Sequence, residues 1–395
     1  MKIPSSIKNS LLYKAFLIWI IWRFFLQVVV VLAPIFIEYL PSFPYYEILE
    51  STYLPKSIYS WANFDGVHYL TIVQFGYRQL DLIQAFFPVY PFLVKMISLL
   101  INDPLVSGLL LSSVSSIGCI YFGFKVSKRL FDKKTAIHYI AVLLSFPTSF
   151  YLNAVYNESL FLLLILAGVW YSQTNKKLIS GLLMGLSSGV RLVGLMLIPS
   201  FFLKWIASSL NCSASFKLSL KAKFKNNWKF VIGLSIGSIA LILFMILLKQ
   251  EFNNPFYFFS VQADFGTGRQ TNLVFPLQSF YRSIKMLIFV RPIDVKYFSY
   301  AQDFVISTLV FLGILFSWKK IKLEYSLFSL ISYTIPILTG NLSSMPRYVL
   351  VLFPVMMWWA SYISKRKKLY YAYYFVSTLL LIINLTLFIQ GYWVA

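Results

Sequence analysis

Residues 16–37 read FLIWIIWRFFLQVVVVLAPIFI, and Lys2, Lys8 and Lys14 precede them. A helix needs about 20 apolar residues to cross a bilayer, and this run supplies them. It is too long for the apolar stretch of a secretory signal, and no small-x-small cleavage site follows. It is therefore expected to persist as a first membrane span, with its N-terminus in the cytoplasm.

The rest of the chain has the same character. Of its 395 residues, 59% are hydrophobic and only 12% are charged. Soluble domains are about one quarter charged, so the composition leaves a polytopic, all-α membrane protein. The 19% aromatic content suits interfacial belts. In a soluble protein a net charge of +22 would suggest nucleic acid. Here the lysines flank apolar runs, where positive-inside topology requires them, so no nucleic-acid partner is expected. Cys119 lies in an apolar run and Cys212 beside a basic loop, so no disulfide is expected. With only His68 and His138 available, a Cys–His metal site is not expected either.

Five basic clusters fix a topology: KVSKRLFDKK (125–134), NKK (175–177), the stretch from Lys204 to Lys229, KKIK (319–322) and KRKK (365–368). Placing all five inside gives about eleven spans. The first ends near Ile37. The others fall near 104–124, 135–152, 156–174, a pair within 178–205, 229–249, 303–318, 324–341, 347–363 and 369–391. Two long external loops remain, about 38–103 and about 250–301. The segment PVYPFLVKMISLL (88–100) is short for a span and would place the 125–134 cluster outside. It is read as an interfacial helix on the outer face. The whole chain, 1–395, forms one integral membrane domain.

On this topology, polar residues that positive-inside placement does not explain gather on the outer side. The first loop carries Asp65 and His68, in WANFDGVHYLTIVQFGY (61–77). FYLNAVYNESLF (150–161) carries Asn157 and Glu158, and Arg191 sits at an outer turn. The second loop carries Arg269, and SSMPRY (343–348) carries Arg347. Charges at membrane depth are expensive and usually mark function. Asn63 is positioned to cap a helix, placing Asp65 in its first turn near the positive end of the dipole. Each residue also has a structural reading: a helix-start acid for Asp65, an interfacial histidine packed on Trp61 and Tyr69 for His68, a solvated cap for Glu158, and arginines snorkelling to headgroups.

Four blocks resemble one family in its order. FDGVHYLTIVQFGY with AFFPVYPFLVK (64–95) resembles the segment after the first span of the glycosylphosphatidylinositol mannosyltransferases of the PIG-V type and their prokaryotic relatives. FPTSFYLNAVYNESLFLLL (146–164), SGVRLVGLMLIP (188–199) and PRYVLVLFPV (346–355) are similar to its later signatures. Phe64 stands where that family usually has tryptophan. The resemblance implies a C-type glycosyltransferase fold, and a multi-span enzyme that uses a polyprenyl-phosphate sugar on the external or lumenal face. Its first-loop acid corresponds to Asp65. Many members pair that acid with a second; this chain has no Asp-x-Asp, so no metal and no cofactor are expected.

A sugar on polyprenyl phosphate already has a leaving group. One carboxylate acting as base on the acceptor hydroxyl then suffices, whereas two serve glycoside hydrolysis. Asp65 is the expected base. Arg191 and Arg347, with Arg269 as a third, are expected to stabilise the departing phosphate. Asn157 and Glu158 are expected to hold sugar hydroxyls, and His68 to bind the acceptor or orient the acid. The expected reaction is inverting transfer of a hexose, mannose first, to a glycan, glycolipid or protein. The site of action is the plasma membrane of a prokaryote or the endoplasmic reticulum membrane of a eukaryote. The alternatives are a multi-span transporter or lipid-linked sugar flippase, and a non-catalytic scaffold.

Overall fold

A computed structural model describes residues 10–210, 216–265, 270 and 272–394. Among these the chain is helical, with no strand. The main helices are α1 (Leu11–Phe36), α2 (Asp65–Phe75), α3 (Val89–Ile101), α4 (Pro104–Leu130), α5 (Lys133–Ser145), α6 (Glu158–Gln173), α7 (Lys177–Ser188), α8 (Leu197–Leu210) and α9 (Phe216–Phe252). They continue with α10 (Pro276–Phe289), α11 (Val295–Ser317), α12 (Leu323–Ile337), α13 (Met345–Val349), α14 (Phe353–Ile363) and α15 (Lys367–Ile389).

Local chemistry sets the boundaries. The side chains of Ser10, Asp103, Asp132 and Asp294 accept from the backbone N–H three residues on, starting α1, α4, α5 and α11, as helix caps do. Lys128 and Arg129 close α4 at the negative end of its dipole. Pro147 stops α5: Phe146 before it is extended, at φ −58° and ψ 140°, as a residue preceding proline prefers. The run expected as a span to 152 therefore ends at Ser145 and becomes a short 3-10 turn, Ser149–Leu152. The run expected over 347–363 divides into α13 and α14, with Pro354 in the first turn of α14.

Among the described residues, six helical stretches are long and apolar enough to cross a membrane: α1, α4, a 3-10 turn (Leu192–Met196) running into α8, α9 from Ser219, α11 and α15. Their outward faces are apolar, with Ile21, Phe24, Leu243, Phe316 and Phe375 exposed, as a surface against lipid requires. The shorter apolar helices α3, α6 and α7 add to this set. At 16 residues, α6 is about 24 Å long, less than the hydrocarbon thickness. It is surrounded by protein instead: Glu158 to Leu162 and Leu164 to Val169 are all buried. α4 and α7 flank it, α1 lies on α4, α5 packs on α14, and α15 returns to α1.

The closest crossing joins α7 to α9. Gly181 and Gly185 face Gly233 and Gly237, each pair spaced by three residues. A methyl group at Gly181 would fall on the Phe230 carbonyl, and one at Gly237 on the Leu182 carbonyl. Backbone meets backbone there, the use of small residues at that spacing in membrane helices. Because backbone cannot swing aside, Gly181→Val and Gly237→Val are each expected to destabilise the fold by about 3 kcal/mol or more. The measurement is thermal unfolding in detergent. Wild-type stability in either variant would show that this crossing is not tight.

Candidate active site

The site is built where the four sequence blocks meet. Asp65 opens α2, as expected, but Asn63 does not cap it. The Asn63 amide instead donates to the Phe388 and Ile389 carbonyls, 2.8 and 3.3 Å away at the end of α15. The N-cap position falls on Phe64, at φ 60° and ψ −117° with no side-chain cap bond. This backbone region is rarely used by bulky residues, and such strain persists where packing over-determines it. The Phe64 ring is held among Phe43, Phe388 and Trp393, at centroid distances of 4.5, 5.8 and 5.5 Å. The Tyr156 hydroxyl completes the turn: it donates to the Asn63 carbonyl at 2.8 Å and accepts from the Asp65 N–H at 3.1 Å. Sequence reasoning did not single out Tyr156, although it stands one residue before Asn157 in the second block.

Four charged groups then form a chain. The Arg347 guanidinium donates through NH1 to Asp65 Oδ2 at 2.6 Å. Its Nε lies 3.2 Å from Glu158 Oε1, without the alignment of a hydrogen bond. Arg191 NH1 donates to the same Glu158 oxygen at 3.1 Å. Two carboxylates thus alternate with two guanidiniums. Glu158 is 1% exposed and Asp65 15%. Burial of this depth is tolerable only because every charge has an opposite neighbour. Glu158 Oε2 is buried and has no hydrogen-bond partner, the kind of unmet group that a ligand or water completes.

Neither arginine snorkels. Arg347 sits over the rings of Tyr151, Tyr156 and Tyr348 at 5.5 to 5.6 Å, and Arg191 lies 5.2 Å from Tyr348 and 5.9 Å from Phe161. These aromatic walls keep the guanidiniums inside the bundle. The fourth block is tied to the second by the Thr148 hydroxyl, which donates to the Pro346 carbonyl at 2.9 Å. Arg347 meets Asp65 across 282 positions of sequence.

Asn157 is buried beside Glu158, and its amide donates to the Val190 carbonyl at 3.0 Å. It holds the turn that carries Arg191. His68, also buried, lies one turn along α2 from Asp65. It packs on Phe86 and Tyr45 at 5.2 and 6.1 Å, not on Trp61 and Tyr69. Burial pushes its imidazole below the usual histidine range, against the attraction of Asp65. It is therefore neutral near pH 7, and its buried Nδ1 has no hydrogen-bond partner. Arg269 lies outside the described residues. The two loop segments touch each other: Arg78 pairs with Glu251, and Phe87 packs 5.2 Å from Phe258.

No curated protein matches the sequence. Among solved structures, the chain is similar to the Archaeoglobus fulgidus oligosaccharyltransferase. Its crystal structure with zinc and sulfate superposes at a TM-score of 0.42 and 15% identity, over 82% of this chain and 48% of that one. Its structure tethered to an acceptor peptide containing the NVT sequon gives 0.44 and 12%, over 98% and 56%. The chain thus spans about half the length of those proteins. The profile of the mannosyltransferase (PIG-V) family matches residues 34–333, a stretch that contains Asp65, Glu158 and Arg191 and stops short of Arg347. With a match over most of its length, this multi-pass membrane chain belongs to the mannosyltransferase (PIG-V) family of membrane glycosyltransferases.

Proposed function

We propose that the protein transfers a hexose, mannose first, from a polyprenyl-phosphate-linked sugar to the hydroxyl of a glycan, glycolipid or protein acceptor. The observation that carries this reading is the convergence of Asp65, Glu158, Arg191 and Arg347 into one buried, charge-balanced cluster. Asp65 takes the proton of the acceptor hydroxyl. The oxygen attacks the anomeric carbon as the bond from that carbon to the phosphate oxygen breaks, and polyprenyl phosphate leaves with the electron pair. Configuration inverts in this single displacement.

The ion pairs support an order of events. Without donor, Arg347 occupies Asp65 Oδ2 at 2.6 Å, so that oxygen is not free to meet an acceptor hydroxyl. The donor phosphate is a strong competitor for a guanidinium fork. When it takes Arg347, the Asp65 carboxylate is released toward the acceptor. Arg191 and, in the second loop, Arg269 share the phosphate. Glu158 and Asn157 face the sugar hydroxyls, while neutral His68 orients the acceptor or the acid without adding charge. The isoprenoid tail runs along α3, whose Phe92, Met96, Leu99 and Leu100 are exposed. α3 is docked to the site by the Val89 N–H on the Gly189 carbonyl at 3.0 Å and by Tyr90 packed on Tyr69.

The direct test incubates the purified protein with radiolabelled polyprenyl-phosphate mannose and membrane extract. Time-dependent loss of donor with label in a new product is expected. Intact donor moved between leaflets would point to a flippase, and intact donor that stays where it was to a scaffold.

We also propose that the cluster faces the external or lumenal side, with the lysine-rich ends in the cytoplasm. In a background with both cysteines replaced, Ser51→Cys should react with an impermeant maleimide in intact cells. Lys134→Cys should react only after permeabilisation. Both positions are exposed. The opposite pattern would invert the orientation.

A further inference from the structure

At the far end of α6 from Glu158, the bundle carries two basic clefts that the transfer reaction does not use. Trp170 follows Glu158 by twelve residues, about 18 Å of helix. The first cleft, of about 360 Å³, is lined by Lys125, Lys128, Arg129 and Trp170. The Lys125 ammonium lies 4.2 Å from the Trp170 ring and is held by the Tyr121 hydroxyl at 3.0 Å. Arg129 lies 5.7 Å from the same indole. The second, of about 310 Å³, is lined by Phe131, Lys320, Trp358, Lys365 and Arg366. Lys320 lies 5.7 Å from Trp358, and Arg366 is stacked 3.7 Å from Tyr362. The two clefts flank the turn between α4 and α5.

Positive-inside topology accounts for lysines at helix ends, but not for their convergence on an indole in a recess. No carboxylate lines either cleft. The nearby Asp132 is engaged in capping α5, accepting the Thr135 N–H at 2.7 Å. Lys125, Lys128 and Arg129 in the first cleft, and Lys320 and Arg366 in the second, where Asp132 attracts Lys365, lie beside an aromatic ring of the kind that sits at headgroup level and match one chemistry: a phosphate anion attached to an apolar body. We infer that each cleft binds the headgroup phosphate of an anionic phospholipid, the cations taking the phosphate and the tryptophan lying along the glycerol and upper acyl chain. Basic recesses between membrane helices serve lipid recognition in this way.

The test uses the full chain in detergent and native mass spectrometry, with phosphatidylglycerol titrated against phosphatidylcholine. Two phosphatidylglycerol molecules are expected to be retained. Lys125→Gln with Arg129→Gln should weaken one site by about thirtyfold, and Lys320→Gln with Arg366→Gln the other, taking about 1 kcal/mol for each of the two basic side chains near the headgroups. The exposed pair Lys221→Gln with Lys225→Gln should leave both sites intact. Unchanged melting without lipid establishes that the variants fold. Equal loss in the Lys221/Lys225 variant would reduce the effect to net charge and overturn the inference. So would displacement of the lipid by millimolar inorganic phosphate, which would reassign the clefts to a soluble anion.

Discussion

Asp65→Asn is expected to lower transfer by about 10²–10⁴-fold, the usual contribution of a general base, while the protein stays folded and membrane-inserted. The structure supports both halves. Asparagine keeps the shape of the side chain and leaves its Oδ1 able to accept from Arg347, now 2.6 Å from the carboxylate. Arg347 also retains Glu158 at 3.2 Å, so the substitution strands no buried cation. What disappears is the negative oxygen proposed to take the acceptor's proton. The Tyr156 hydroxyl bonds the backbone N–H of residue 65 rather than its side chain, so the turn that places the side chain is unaffected. The check is initial rate with labelled donor, alongside thermal unfolding. Turnover near wild type would remove Asp65 from the mechanism. If Glu158→Gln cost more than Asp65→Asn with folding intact, the base would be reassigned to Glu158.

The helices were legible because the bilayer imposes a simple code. Apolar runs of sufficient length became helices; Pro147 ended one after an extended Phe146, and Pro354 sits in the first turn of α14. Asp65 at the start of α2, Glu158 at the start of α6 and the two arginines were legible as charges that positive-inside placement does not explain. Their pairing was not, since no local pattern links position 65 to position 347. The role given to Asn63 failed for a related reason. A cap preference competes with tertiary partners, and the Phe388 and Ile389 carbonyls, at the end of α15 where the i+4 helical donors run out, accept the Asn63 amide. Tyr156 escaped notice because a tyrosine among many aromatics reads as interfacial until its hydroxyl is seen between two backbone groups. The glycines that would suit a moving transporter instead close the α7–α9 crossing, where a fixed backbone contact leaves little room for sliding.

Arg347 is expected to be the least replaceable side chain of the cluster. It alone bridges the two acids, through NH1 to Asp65 and Nε beside Glu158, whereas Arg191 reaches Glu158 only. Arg347→Ala leaves Asp65 without a counter-ion in a mostly buried setting, and breaking such pairs costs about 3–5 kcal/mol. It also removes the fork proposed for the donor phosphate. Arg347→Lys keeps the charge, but one ammonium cannot reproduce two contacts made by separate nitrogens of a plane. Transfer should therefore fall by at least about tenfold, with stability partly retained. Arg191→Lys preserves a single contact with Glu158 and should be milder in both respects. The expected order of damage is Arg347→Ala, then Arg347→Lys, then Arg191→Lys. Initial rates across donor concentrations, with unfolding followed on the same nanodisc samples, measure it. The lysine variant at 347 decides the question even if the alanine variant does not fold. Wild-type kinetics in Arg347→Lys would show that a point charge suffices and that the bidentate phosphate contact is wrong. A raised donor KM in Arg347→Lys that is absent from Asp65→Asn would separate phosphate recognition from proton transfer within the same four-residue cluster.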